Sequence, residues 1–252
     1  MDLQLKGRNV LITGGTRGIG KAIALMLQQE GANVSVTGRR KEAAEAFQQA
    51  HEGIQVYTLD VMNPEERAQL VERYMSDYGT IDVLVNNVGG SSGSTTQETD
   101  LEQFREAFEF NYFQAVDFSK RFASHMVRKE SGAIINIASV YGRESGGLVT
   151  YNNAKAALIS FSKSLSNELI PHGVRVNCIA PGSVFHSDGV WDQRMKENES
   201  SVQNFIFNEI PANRLGTPEE IANVVTFLAS EKSSWIVGAC LTVDGGQSRM
   251  NH

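Results

Sequence analysis

The chain has 252 residues, of which 41% are hydrophobic and 21% are charged, and its formal net charge is -6. This composition is ordinary for a soluble globular protein, and the length allows one large α/β domain or two small ones. The sequence has no basic cluster, which argues against a nucleic-acid partner, and no apolar run reaches the ~20 residues of a membrane span.

The first predicted unit is a strand, a glycine-rich turn, a helix and a second strand. An apolar run at 9–13 predicts a buried strand, and residues 14–20 after it read Gly-Gly-Thr-Arg-Gly-Ile-Gly. Helical periodicity at 21–30 and an apolar run at 33–37 complete the unit. Glycines in such a turn let the backbone approach a pyrophosphate, which rests on the helix N-terminus. The context therefore favours nucleotide binding over a purely structural turn.

The residues after the second predicted strand bear on which nucleotide would bind. An acidic residue there would hydrogen-bond a ribose 2′-hydroxyl and repel a 2′-phosphate. Gly38 stands in that place, Arg39 and Arg40 follow it, and Arg17 lies in the glycine-rich turn. Guanidinium groups suit a phosphate, so we favour NADP(H), with NAD(H) as the alternative. Arg40 fits equally well as a solvated residue that opens the next helix.

The middle of the chain continues the alternation of strands and helices. The patterns predict a helix at 41–50, a strand at 54–59, a helix at 63–78, a strand at 81–85 and a long helix at 101–129. Asp60 and Val61 follow the third strand, where an aspartate commonly forms a turn or caps a helix. Asn111 lies inside the long helix, where an asparagine usually costs stability.

The last part of the chain carries the residues of chemical interest. It holds predicted strands at 133–138, 174–180 and 239–243 and predicted helices at 151–170 and 219–229. We expect one domain over 1–252 with seven parallel strands. The 183–213 segment shows no clear strand and is interpreted as a substrate lid with short helices, in which His186 and Asp188 are solvated.

Tyr151 and Lys155 are four residues apart, which places both side chains on one face of a helix. A free phenol titrates near pH ~10, and a neighbouring ammonium lowers its pKa toward the range useful for acid–base catalysis. Taken alone, the pair fits an ordinary helix surface. Ser139, at the end of the fifth predicted strand, could orient a substrate carbonyl, although serine is also a common turn residue.

The order of these motifs resembles the short-chain dehydrogenase/reductase family over residues 9–246. The motifs are Gly14-x-x-x-Gly18-x-Gly20, Asn86-Asn87-Val88-Gly89, Ser139, and Tyr151-x-x-x-Lys155. They look most like its 3-oxoacyl carrier-protein reductase branch. The resemblance implies an α/β fold, a Rossmann-type doubly wound sheet with helices on both faces. It also implies a homotetramer or homodimer, which agrees with a helix at 151–170 that is apolar on more than one side.

The resemblance implies a role for each of four residues in reducing a ketone or 3-oxoacyl carbonyl to a secondary alcohol. Tyr151 would protonate the carbonyl oxygen, Ser139 would orient it, and Lys155 would lower the Tyr151 pKa and bind the nicotinamide ribose. Asn111 would hold a water that relays protons. The resemblance further implies cofactor contacts at Gly14, Thr16, Arg17, Gly18, Ile19, Gly20, Arg39, Arg40, Asp60, Val61, Asn87, Gly89, Tyr151, Lys155, Pro181, Gly182 and Val184.

Several alternatives stay open at this stage. The chain could be an NAD-dependent alcohol, sugar or steroid dehydrogenase on the same scaffold, or an NADP(H)-sensing protein without catalysis, although the intact Asn/Ser/Tyr/Lys set argues against the latter. The gap from Ser139 to Tyr151 is one residue shorter than in many family members, and Ser145 in this loop is a weaker candidate. Cys178 and Cys240 read as buried free thiols, and five scattered histidines suggest no metal site. With no signal peptide at 1–7, we expect a cytoplasmic protein.

Overall fold

A computed structural model describes residues 1–251 and contains one sheet of seven parallel strands in the order β3-β2-β1-β4-β5-β6-β7. The strands are β1 Asn9–Ile12, β2 Asn33–Gly38, β3 Gln55–Thr58, β4 Val83–Asn86, β5 Gly132–Ile137, β6 Val174–Pro181 and β7 Cys240–Val243. The helices are α1 Gly18–Gln29, α2 Lys41–Ala50, α3 Pro64–Tyr78, α4 Leu101–Phe108, α5 Gln114–Lys129, α6 Val149–Leu169, α7 Val190–Glu209 and α8 Pro218–Ala229. The predicted doubly wound sheet is confirmed.

The core lies in two layers, one on each face of the sheet. Val10 and Ile12 of β1 belong to one hydrophobic cluster with residues of α1 and α8, whereas Leu11 between them belongs to a second cluster with residues of α3, α5 and α6. Alternate side chains of a strand point to opposite faces, so a strand covered on both faces must be apolar throughout. This explains why the strands appear in the sequence as unbroken hydrophobic runs.

The strand order reverses beside β1, which pairs with β2 on one side and with β4 on the other. In open parallel sheets, ligands bind in the crevice that such a reversal opens at the carboxyl ends of the strands. The turns that follow β1, β4, β5 and β6 all emerge at this edge because the strands are parallel. The topology therefore brings the glycine-rich turn, Asn87, Ser139 and Pro181 to one side of the sheet.

The predicted helix over 101–129 is interrupted. Residues Glu109–Phe113 form a π-helical turn between α4 and α5, with Asn111 completely buried inside it. Such turns widen the helix by one residue and often occur at functional sites. The predicted start of the helix at 63–78 is confirmed, because Asn63 accepts backbone N–H bonds from Glu65 and Glu66 at the start of α3.

The 183–213 segment is more helical than the sequence indicated. Its main element is α7, whose backbone leaves helical geometry only at Asn198, with φ -158 and ψ 86. Trp191 and Phe205 stack across this break at a centroid distance of 4.7 Å. They pack on a small hydrophobic cluster, so these two aromatics form a local core within the segment.

The two cysteines face each other in the register of β6 and β7, and both are free. Cys178 is buried, but the expectation for Cys240 is wrong, because β7 is an edge strand and leaves its residues partly exposed. Of the helices in residues 1–251, none combines the length and the hydropathy that crossing a bilayer requires.

Candidate active site

The glycine-rich turn at 14–20 is packed so closely that side chains do not fit. A β-carbon on Gly20 would lie 2.3 Å from the Gly14 carbonyl oxygen, and one on Gly15 would lie 2.4 Å from Val36 Cγ1. Helix α1 begins at Gly18, and its N-cap residue Arg17 provides no side-chain acceptor. The N–H groups of the first helical turn are therefore left for a ligand.

Asn87 fixes this turn from the neighbouring strand end. Its Nδ2 donates to the backbone oxygens of Thr13 and Gly14, both at 3.0 Å, and its backbone N–H donates to Thr13 Oγ1. Asn86, one residue earlier, donates to Ser119 Oγ and Asn136 Oδ1 in the sheet interior. The asparagine pair therefore braces the sheet and the turn.

The end of β2 adjoins the same turn. A β-carbon on Gly38 would lie 2.9 Å from Thr16 Cγ2, so an acidic side chain at this position would require Thr16 to move. Arg17, Arg39 and Arg40 are exposed, and no carboxylate within residues 1–251 forms an ion pair with any of them. This corner of the crevice therefore carries three positive charges that no carboxylate of residues 1–251 neutralises in an ion pair.

Asp60 and Val61 lie at the next strand end. One carboxyl oxygen of Asp60 accepts the Met62 N–H at 3.0 Å, so the aspartate does form a local turn. Val61 is 8% exposed and packs into the core cluster, while its carbonyl accepts from Arg67 Nη1. The other carboxyl oxygen of Asp60 has no hydrogen bond within residues 1–251, so it is available to a ligand.

Ser139, Tyr151 and Lys155 meet beside β5. Ser139 follows that strand in extended conformation, and its Oγ accepts the Tyr141 N–H at 3.2 Å. Lys155 is 2% exposed, its Nζ donates to the Ile137 carbonyl at 2.8 Å, and the same Nζ lies 5.6 Å from the Tyr151 ring centroid. Burial lowers the pKa of Lys155 to about 8.

The prediction of a lowered pKa for Tyr151 is wrong. Burial raises the pKa of this phenol above its ordinary value, and the hydrogen bond with Ser139 lowers it by a smaller amount. The ammonium of Lys155 donates to a backbone carbonyl and does not offset the burial. The phenol is therefore protonated at neutral pH, although burial makes it a weaker acid than a free tyrosine.

Asn111 approaches Lys155 from the π-helical turn. Its side chain accepts the Gly90 N–H at 2.9 Å and donates to the carbonyls of Gly90 and Ala107, both at 3.0 Å. A β-carbon on Gly89 would lie 2.8 Å from both Asn111 Oδ1 and Lys155 Nζ. The loop after β4 thus passes between these two groups, and only a glycine fits there.

The shortened loop before α6 is wrapped around Tyr141. β-Carbons on Gly146 and Gly147 would lie 2.4 and 2.9 Å from its ring, and both glycines have positive φ. The Tyr141 hydroxyl accepts a hydrogen bond from Gln247 Nε2. Electrostatic interaction with Tyr141 also contributes to the raised pKa of Tyr151. Sequence reasoning missed Tyr141, although the glycine pair signals a tight turn. Ser145 is exposed.

The turn after β6 is held by the last strand. Gly182 donates its N–H to Val243, and Gln247 Oε1 accepts the Ser183 N–H at 2.8 Å. Val184 forms an isolated parallel bridge with Gly216. Gln247 had no signal in the sequence, because its role depends on a contact between residues 64 positions apart.

His186 does not lie in solvent as predicted. It is half-buried, and a β-carbon on Gly18 would lie 2.9 Å from its Nε2. The 183–213 segment therefore reaches across to the glycine-rich turn. Asp188 is exposed as expected, with φ 59.

Comparisons with known proteins agree with this geometry. The sequence model of a family described as enoyl-(acyl carrier protein) reductase matches residues 14–248. The chain is similar to the 3-oxoacyl-(acyl-carrier-protein) reductase of Chlamydia muridarum, at 36% identity over 98% of this chain and 100% of that protein. The Escherichia coli reductase of the same name is 35% identical over 97% of this chain and 98% of its own length.

A solved structure gives the same result in three dimensions. The structure of L-sorbose reductase from Gluconobacter frateurii, complexed with NADPH and L-sorbose, matches with a TM-score of 0.92 and 33% identity, over 99% of this chain and 100% of that one. The chain belongs to the short-chain dehydrogenase/reductase family. It is an enzyme of that type, and the resemblance of its motifs to the 3-oxoacyl carrier-protein reductases is confirmed.

Proposed function

We propose that the enzyme reduces a ketone or 3-oxoacyl carbonyl to a secondary alcohol with NADPH. One observation carries the proposal: the phenol of Tyr151 lies with Ser139 and the buried amine of Lys155 at the sheet edge that also holds the glycine-rich turn. A reduction needs a proton donor where the carbonyl oxygen will be, and a phenol is protonated at neutral pH.

The residues present fit a nicotinamide dinucleotide. The closely packed glycines and the uncapped first turn of α1 suit a diphosphate. Arg17, Arg39 and Arg40 suit a 2′-phosphate, since Gly38 provides no carboxylate to repel it. Asp60, Val61, Asn87 and Gly89 would line the adenosine, and Pro181, Gly182 and Val184 would flank the nicotinamide. When bound, this cofactor supplies the hydride.

The side chains of this chain would carry out the proton transfer. Ser139 would donate to the substrate carbonyl oxygen and hold it near the Tyr151 hydroxyl. Tyr151 would give its proton to that oxygen. Lys155 would stabilise the phenolate that is left and bind the nicotinamide ribose, since its ammonium lies near the Tyr151 ring. Asn111, which contacts the loop at Gly90, would hold a water that returns a proton to this site.

The proposed substrate class rests on similarity to known reductases. The curated relatives act on 3-oxoacyl carrier proteins, which favours an acyl-carrier or small-molecule carbonyl substrate. We propose that the segment serves as the substrate lid of a single catalytic domain, because its aromatic cluster lies outside the main core. The enzyme would act in the cytoplasm.

A substrate panel with both cofactors tests the proposal. It should include 3-oxoacyl thioesters, simple ketones, ketoses and, because of the family description, an enoyl thioester. Consumption of NADPH with a ketone or 3-oxoacyl thioester is the expected result. A preference for NADH with alcohols would favour a dehydrogenase, and tight NADPH binding without turnover would favour a sensing protein. Reduction of the enoyl thioester alone would contradict the carbonyl assignment.

We further propose a homotetramer, with a homodimer as the alternative. Phe161 on α6 meets Tyr112 of the π-helical turn edge to face at 6.0 Å, and both residues are half-buried. Phe113 beside them is 48% exposed. An aromatic surface of this kind is typical of protein interfaces. Light scattering at micromolar concentration gives the mass directly, and a monomer would refute the assignment.

A further inference from the structure

Arg67 of α3 is a buried cation that the proposed reaction does not use. It is 5% exposed, and its guanidinium contacts three separate segments of the chain. Nη1 donates to the Val61 carbonyl at 2.6 Å and to Glu109 Oε1 at 2.9 Å, and Nε donates to Asp117 Oδ2 at 2.7 Å. Glu109 is the first residue of the π-helical turn, and Asp117 lies in the first turn of α5, which follows it. The guanidinium therefore holds the π-helical turn at both of its ends.

The π-helical turn needs contacts of this kind because it is a rare alternative to the α-helix. The Gln114 N–H donates to the Glu109 carbonyl, which is the i→i+5 bond that defines such a turn. Relaxing the turn to α-helical geometry would shift the phase between α4 and α5 by one residue, or about 100°. Asn111 Oδ1 accepts the Gly90 N–H at 2.9 Å, and a rotation of that size would break the bond. The position of the Asn111 amide therefore depends on the register of the turn.

We propose that Arg67 is a positioning residue for the proton relay, and that it acts on Asn111 through its ion pair with Glu109. The inference rests on the proposed function, in which Asn111 holds the water that returns a proton to the site. By fixing the register of the turn, Arg67 keeps the Asn111 amide on the loop after β4. A β-carbon on Gly89 of that loop would lie 2.8 Å from both Asn111 Oδ1 and Lys155 Nζ, so a small displacement of the amide would change the relay.

An arginine suits this place because its planar guanidinium presents several donors in fixed directions. A lysine at position 67 would keep the positive charge but could not reach all three acceptors in this geometry. The Asp117 carboxylate also accepts from Arg121 Nε at 2.7 Å, and the Arg121 side chain is 38% exposed. Within residues 1–251, Arg121 contacts neither Glu109 nor the Val61 carbonyl. It therefore offers a matched control, an arginine on the same carboxylate that does not hold the start of the turn.

Three single variants measure the effect. Glu109→Ala removes the contact at the turn and leaves Arg67 paired with Asp117, whereas Arg67→Lys keeps the charge and loses the planar fork. Both should lower kcat for the best ketone substrate by about 10- to 100-fold, the scale of a group displaced by about 1 Å. Arg121→Met should change kcat by less than about twofold, because an exposed ion pair contributes little. NADPH affinity, measured by fluorescence, should fall only in Arg67→Lys, since that variant alone disturbs the Val61 carbonyl.

A double-mutant cycle with Asn111→Ala separates positioning from general destabilisation. If Arg67 and Glu109 act through Asn111, the Glu109→Ala, Asn111→Ala double variant should have the same kcat as Asn111→Ala alone. Losses in kcat that multiply would overturn the inference, and so would an unchanged kcat in Glu109→Ala. The Glu109 side chain is 33% exposed, so this variant decides the question even if Arg67→Lys does not fold.

The same kinetics distinguish this inference from the proposed function. If ketone reduction and the loss in Asn111→Ala are both observed but Glu109→Ala is fully active, only the role of Arg67 is wrong. Full activity of Asn111→Ala would refute the relay and this inference with it. A wild-type enzyme that reduces no ketone or 3-oxoacyl thioester would refute the proposed function itself.

Discussion

The edge of the sheet and the 183–213 segment face each other across the same crevice, but they are built in opposite ways. At the sheet edge, Lys155, Ser139 and Asn111 are at most 6% exposed, and their polar atoms bond mainly to backbone. In the segment, Phe207 is 78% and Phe185 is 38% exposed, and α7 breaks at Asn198. Packing against the core fixes the positions of the side chains at the sheet edge. The conformation of the 183–213 segment can change without disturbing that core.

The largest expected effect is at the sheet edge. Tyr151→Phe should lower kcat by on the order of 10²- to 10⁴-fold, the usual contribution of general acid catalysis, because it removes the proton donor and little else. Steady-state kinetics with the best ketone substrate measures the loss. NADPH affinity should stay the same, and Tyr141→Phe, which alters the neighbouring ring, is the control. Retained turnover in the Tyr151 variant would reject the acid assignment.

Lys155, at the same edge of the sheet, should make the stability of the fold dependent on pH. Its pKa is lowered to about 8 by burial, from an unfolded value near 10.5, so the unfolded chain binds more protons between these two pH values. Stability should therefore rise with pH from about 8 to about 10.5. Lys155→Met removes this term and should stabilise the fold by up to about 3 kcal/mol at pH 7.

Urea denaturation at several pH values tests this prediction. The stability difference between Lys155→Met and wild type should shrink as pH rises through this window. Activity should move the other way, since the cationic form of Lys155 is the one proposed to act, and kcat/KM for reduction should fall above about pH 8. A constant stability difference from pH 7 to pH 10 would refute the shift.

Alanine substitutions at two glycines allow the packing of the two regions to be compared. Gly20→Ala forces a β-carbon to 2.3 Å from the Gly14 carbonyl and should cost about 1–3 kcal/mol of unfolding free energy, together with NADPH affinity. Gly216→Ala, beside the 183–213 segment, meets its nearest neighbour at 3.6 Å and should be nearly neutral. Urea denaturation of both variants gives the comparison, and equal effects would contradict it.

The cationic corner should affect cofactor choice with little effect on stability. Arg39→Ala should weaken NADPH binding by about tenfold, as expected for loss of one solvent-exposed phosphate contact, and leave NADH binding unchanged. The same measurement on Arg40→Ala shows whether Arg40 contacts the 2′-phosphate or only precedes α2: NADPH affinity falls in the first case and is unchanged in the second. Lys232→Ala, an exposed cation elsewhere, is the control. Parallel losses for NADH and NADPH would argue against a 2′-phosphate site.

The smallest effect is expected on the open face of the 183–213 segment. Phe207→Ala removes a side chain that is 78% exposed and should change the unfolding free energy by less than about 0.5 kcal/mol. An effect on the KM of the carbonyl substrate without a change in stability would support a lid. A decrease of several kcal/mol in the unfolding free energy would show that Phe207 packs in a core, which would contradict the difference between the two regions.

The sequence by itself determined the order of strands and helices, the family, and the place of the glycine-rich turn and of Ser139, Tyr151 and Lys155 along the chain. These features are local, because periodicity, caps and glycine spacing are set by neighbouring residues. Tertiary structure alone decided the raised pKa of Tyr151, the π-helical turn around Asn111, and the contacts of Tyr141 and Gln247. It also brought His186 onto Gly18, 168 positions earlier in the chain. Burial and long-range contacts depend on which elements pack together, and no local pattern in the sequence encodes that.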